Sequence, residues 1–185
     1  MRVRDTQRSK VYEAERVAFR DHVEANEGLR EVADIEAFVR HVFSLKRVQD
    51  AFPRAVAGWR SGAPNVHDGR GRRSACGGIG FISMPLWSRC KWIVLHELAH
   101  TISFRTEYHI APHGWEYAAT YLKLVRLVLG VEAHDLLKAQ FKAHRVRYKA
   151  PVKRAPLSPE RRAQLAATLA AARAARTNTC TAQPA

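Results

Sequence analysis

Two histidines and a glutamate stand at a spacing suited to metal-dependent hydrolysis. Segment 93–102 contains His96, Glu97 and His100 in the order H-E-x-x-H, within an apolar run. Residues four apart project from one face of a helix, so the two imidazoles can bind one Zn²⁺ at about 2.0–2.1 Å. Glu97 is then beside the metal and can take a proton from a zinc-bound water, whose pKa the metal lowers toward about 7. The segment predicts a zinc site with Glu97 as general base.

A catalytic zinc site needs a third protein ligand and one open position. The downstream candidates are His109, His113, Glu107 and Glu116. The metzincin pattern requires Gly at position 103 and His at position 106, and Ser103 and Thr106 exclude that class. We predict His113, because Gly114 would let the backbone pass close to the metal. His109 is the alternative ligand.

The pattern of apolar residues predicts the elements that position these groups. We expect helices over residues 5–23, 32–52, 88–104, 114–129 and 132–144, the last two separated by Gly130. Between residues 54 and 85 turn residues separate short apolar runs, which indicates strands over 55–60 and 78–84. We expect the intervening segment 61–73 to be mobile and to restrict access to the site. The predicted fold class is α+β, a small sheet packed on the metal helix with flanking helices.

Several residues near the motif have two interpretations. Strand 78–84 could receive an extended substrate as an edge strand, or be an ordinary core strand. Glu116 could hydrogen-bond a ligand histidine or lie in solvent. The candidates for stabilising an oxyanion are Tyr108, His109 and Tyr117. We expect core packing for Trp87, Trp92 and Trp115.

The motif residues also carry a family resemblance. H-E-L-A-H at 96–100, followed by His113-Gly114, resembles the metal motif of SprT-like metallopeptidases. Over residues 4–145, with the opening segment 4–12, the chain is more similar to a family of H-E-x-x-H metallohydrolases of actinobacteria and their phages. The resemblance implies a zincin-like fold, His96, His100 and His113 as zinc ligands, and Glu97 as general base.

Charge and composition set the domain organisation. The chain has 185 residues and a formal net charge of +14. Residues 144–185 hold nine Lys or Arg against the single Glu160. We predict one metallohydrolase domain over 1–145 and a basic Ala/Arg-rich linker and helix over 146–185. That tail could contact polyanions or nucleic acid, or be solvated.

The remaining sequence features concern location. Residues 1–5 start no apolar segment, and no run approaches the length of a membrane span. The cysteines, Cys76, Cys90 and Cys180, are odd in number and lack paired spacing, which favours reduced thiols. We therefore expect a cytoplasmic protein.

The predicted function is zinc-dependent hydrolysis, most simply of a peptide or protein substrate. Two alternatives stay open at this point. One is a nucleic-acid-associated protein with a structural zinc site, which would need four protein ligands. The other is a non-peptidase hydrolase that uses the same metal and base.

Overall fold

A helix buried on all sides organises the fold. The computed structural model describes residues 3–59, 62–106, 110–152 and 158–180. Helix α5, Lys91–Thr106, is buried continuously over residues 94–103. A helix without a solvent-facing side must be covered all round by other elements. Here the helices at Pro53–Ala57 and Trp115–Val128 and the strands at Cys76–Gly78 and Phe81–Met84 contact it.

The chain is α+β, as the sequence predicts. The helices are α1 Arg8–Phe19, α2 Val32–Ser44, α3 Lys46–Ala51, α4 Pro53–Ala57, α5, α6 Trp115–Val128, α7 Gly130–Ala143 and α8 Pro159–Cys180. The strands are β1 Asn65–Asp68, β2 Cys76–Gly78 and β3 Phe81–Met84. A short 3-10 helix, Leu86–Ser88, follows β3.

The sheet has the order β1-β3-β2, so β3 is central. Strand β3 pairs in parallel with β1 and antiparallel with β2. Of the two interpretations of 78–84, residues 81–84 therefore agree with the core strand and not with the edge strand. Gly80 has φ +85° and turns the chain within that segment, so it divides into the end of β2 and all of β3. The edge strand that packs on α5 is β2.

The region before the sheet also differs from prediction. The expected strand over 55–60 is helical as far as Ala57, with Pro53 at the first position of α4. Proline has the φ that a helix start needs, so Pro53 ends one helix and begins the next. The expected mobile segment 61–73 contains β1, whose Asp68 forms an ion pair with the buried Arg89 at 2.6 Å.

The chain forms two compact units, Met1–Ala150 and Pro151–Ala185. The first holds the sheet, helices α1–α7 and the hydrophobic core. In the second, helix α8 is exposed over residues 159–174. Among the described residues, no helix combines the length and the apolar character needed to cross a membrane.

Candidate metal centre

Three buried histidines converge at one end of the α5–α6 pair. His96 and His100 lie one turn apart on α5, and His113 immediately precedes α6. One ring nitrogen from each of the three lies within 4.8 Å of the others. The structure thus brings together the histidines that the sequence singled out. The alternative candidates Glu107, Tyr108 and His109 lie outside the described residues.

The start of α6 holds His113 in place. The side-chain amide of Gln7 donates to the His113 carbonyl at 2.9 Å and to the Arg147 carbonyl at 3.3 Å. Gly114 is the extended N-cap of α6, and Tyr117, one turn later, stacks on the His100 ring at 4.2 Å between centroids. His113 is therefore held in place by Gln7, which precedes α1, as well as by the start of α6.

Two carboxylates orient the histidine rings. Glu15 on α1 lies 2.8 Å from Nδ1 of His96, and Asp5 lies 2.6 Å from Nδ1 of His113. A carboxylate on one ring nitrogen fixes the tautomer and leaves the other nitrogen for a metal. The sequence reasoning missed both residues and considered Glu116 for this role, but no described hydrogen bond joins Glu116 to a histidine.

A signal for Glu15 was present in the sequence. It stands four residues after Val11 and four before Phe19, both buried in the core stripe of α1. Glu15 itself is 4% exposed. A buried carboxylate needs a partner. An acidic residue on the core-facing side of a helix therefore indicates a buried cation, histidine or metal nearby. No comparable signal marks Asp5, which precedes the helix.

The surroundings set different proton affinities for the three rings. Burial, together with the charges of the other histidines, lowers the pKa of His100 well below its ordinary value. Burial also lowers the pKa of His113, to about 4, although the hydrogen bond to Asp5 opposes this. Burial would lower the pKa of His96 too, but the charge and hydrogen bond of Glu15 outweigh it, and that pKa is raised. Two of the rings are thus neutral at neutral pH, the form that binds metals.

Glu97 lies beside the histidines without joining their cluster. Its side chain is buried, and burial raises its pKa, although the neighbouring His96 acts against this. The backbone N–H of Gly77 on strand β2 also acts to lower that pKa. A buried carboxyl with a raised pKa can both accept and return a proton in general acid–base catalysis.

The donor set fits a metal ion such as Zn²⁺. Nε2 of His113 and Nδ1 of His100 are buried and lack a hydrogen-bond partner. Leaving such groups unpaired costs about 1–3 kcal/mol each, which a bound cation would offset. Among the described Cys, His, Asp and Glu residues, the cluster has three members, leaving one tetrahedral position for water or substrate.

Comparisons with protein-family models, with curated proteins and with solved structures gave no match. What the site can do is therefore argued from its own geometry.

A cavity of about 560 Å³ opens onto Glu97, His100 and His113, and we call it the histidine cavity. Tyr12, absent from the predicted oxyanion candidates, lines it. The Tyr12 ring lies 5.4 Å from that of His96 and 5.1 Å from that of His113. By contrast, Tyr117 is fully buried and its hydroxyl donates to the His96 carbonyl at 3.4 Å. Tyr12 is thus better placed than Tyr117 to meet a substrate.

Proposed function

We propose that the protein is a zinc-dependent hydrolase of zincin-like architecture that cleaves peptide bonds. The observation that carries the proposal is the convergence of three buried histidine nitrogens next to Glu97, with Glu97, His100 and His113 lining the histidine cavity. A structural zinc site normally has four protein ligands, and the three described here favour the catalytic kind.

The residues of the chain have separate roles in this reaction. His96, His100 and His113 would hold the metal, with Glu15 and Asp5 orienting two of them. When bound, zinc supplies Lewis-acid chemistry, lowering the pKa of water and polarising a carbonyl. Glu97 accepts the proton of the attacking water and returns it to the amine nitrogen as the C–N bond breaks.

The choice of a peptide substrate has support from strand β2. This three-residue strand lies at the sheet edge and packs on α5. Its Gly77 lines the histidine cavity together with Cys76 and Ala75. An extended peptide can add to a free sheet edge through main-chain hydrogen bonds, and here that edge runs beside the candidate base.

Turnover of a labelled mixed-protein substrate such as fluorescent casein tests the proposal. The protein should be purified without chelators and resupplied with zinc. Glu97→Gln should keep its zinc and lose turnover by about 10²–10⁴-fold, the usual contribution of a general base. Glu132→Gln, an exposed change at the start of α7, is the matched control and should leave turnover unchanged.

Two results would contradict the proposal in different ways. Wild-type turnover by Glu97→Gln would remove Glu97 as the base. A zinc-loaded wild type that hydrolyses esters or non-peptide amides, but no peptide, would favour the non-peptidase alternative.

A further inference from the structure

A second cavity lies on the other side of Glu97, between α1, α5 and the chain leading into β2. Its volume is about 760 Å³, within the range of small-ligand sites. Trp87, Trp92 and Ile93 form part of its lining, and we call it the tryptophan cavity.

The two cavities are continuous around the candidate base. Both are lined by Arg8, Tyr12, Ala75 and Glu97. Residue 93 lies one helical turn before Glu97 on α5, so the tryptophan cavity extends from Glu97 toward the start of the helix. A chain bound along β2 with its cleaved bond at Glu97 would therefore pass this cavity.

Most of the surface that the tryptophan cavity offers a ligand is apolar, although Arg8, Arg16 and Arg73 also line it. Trp87 is 62% exposed, unusual for so large an apolar side chain. Trp92 is held in place, because its indole N–H donates to Asn26 at 3.2 Å and its ring packs against Phe19 at 5.8 Å. A rigid indole at a cavity wall, such as that of Trp92, suits an apolar ligand, since little side-chain entropy is lost on binding.

The acidic groups of this cavity are already engaged within the protein. Glu15 is bound to His96, and Glu13 forms an ion pair with Arg16. The cavity therefore presents no carboxylate suited to a basic side chain, apart from Glu97 itself.

We propose that the tryptophan cavity binds a large apolar side chain of the substrate, aromatic or branched aliphatic, on a residue next to the cleaved bond. The position of that residue relative to the bond rests on the proposed function. Binding of the side chain in the cavity does not depend on the proposed function, so it can be measured separately.

Binding can be followed by NMR in zinc-loaded Glu97→Gln, which should not hydrolyse the probe. The probes are the capped tripeptides acetyl-Ala-X-Ala-amide, with X as Phe, Leu, Ala or Asp. The indole signals of Trp87 and Trp92 should shift with Phe and Leu, while that of Trp59, which lines neither cavity, should not. The Phe peptide should bind about tenfold more tightly than the Ala peptide, given the transfer free energy of a buried phenyl group.

Trp87→Ala and Leu86→Ala form a matched pair in the same background. The two residues are neighbours of similar exposure, 62% and 60%, and only Trp87 lines the cavity. Trp87→Ala should weaken binding of the Phe peptide about fivefold or more, as for a typical anchor residue. Trp87→Phe should restore much of the loss, and Leu86→Ala should stay within twofold of its parent.

Equal affinity for the Phe and Ala peptides would overturn the proposal, as would a Phe preference that survives Trp87→Ala. Failure of the proposed function gives a different pattern. The Phe peptide would then bind at the indoles, while zinc-loaded wild type cleaved no peptide. Peptide cleavage without an apolar preference would leave the function standing and remove the subsite.

Discussion

Helices α5 and α1 contribute to one candidate metal centre in different ways. Helix α5 carries a motif that is visible in the sequence and supplies two candidate ligands and the candidate base. Helix α1 has the pattern of an amphipathic surface helix, yet Glu15 on α1 and Asp5 just before it hold two of the histidine rings. The difference teaches that candidate metal ligands can be recognised from their spacing within one helix. The carboxylates that orient those ligands are distant in sequence, and only the fold brings them close.

The largest expected effect is on the ligands themselves. His113→Ala and His100→Ala should each reduce bound zinc from about one per chain to a small fraction, because two protein ligands hold zinc far less tightly than three. Elemental analysis after chelator-free purification measures this. His134→Ala, which removes a histidine paired with Asp135 on α7, should retain the full amount. Full occupancy in His113→Ala would remove it from the ligand set and make His109 the better candidate.

The second effect tests α1 directly. Glu15→Gln and Asp5→Asn should each weaken zinc affinity by about 10–100-fold, because loss of the carboxylate charge makes the histidine a poorer donor. Competition with a chromophoric chelator gives the affinities. Glu13→Gln, on α1 but paired with Arg16 instead of a histidine, should bind zinc as the wild type does. A loss as complete as that of a ligand variant would mean that α1 supplies ligands rather than orientation.

The third effect concerns the contact between β2 and α5. A Cβ at Gly77 would overlap the backbone carbonyl oxygen of Glu97, whereas one at Gly78 would meet the Phe81 ring. Backbone on a buried helix cannot move aside, but an exposed ring can rotate. Gly77→Ala should therefore lower the free energy of unfolding by about 1–3 kcal/mol in denaturant titrations, and Gly78→Ala by clearly less. Equal losses would argue against close β2–α5 packing.

The smallest effect should come from the second unit. A chain ending at Ala150 keeps the whole hydrophobic core, so its zinc content and thermal midpoint should match those of the full chain within about 2 °C. Calorimetry and elemental analysis test this. A large drop in the midpoint would show that residues 151–185 stabilise the first unit.

The accuracy of the sequence predictions varied with the length of the pattern. Helices α5, α6 and α7 were predicted nearly to their observed bounds, because each repeats its apolar positions over several turns. Strands of three or four residues have too few alternating apolar positions to be predicted in the same way. Strand β1 was missed, and residues 55–57 were assigned to a strand although Pro53 starts a helix there.

Taken alone, the sequence determined the α+β class and a helix that carries His96, Glu97 and His100, because helical spacing is a local property of the chain. It also favoured His113, which the structure places with them. Only the tertiary structure decided that β2 rather than 78–84 forms the edge beside α5, that Trp87 is exposed at a cavity, and that Asp5 and Glu15 face the histidines. These facts depend on contacts between residues far apart in the chain. Hydrophobic burial selects such contacts for the molecule as a whole, so no local spacing encodes them.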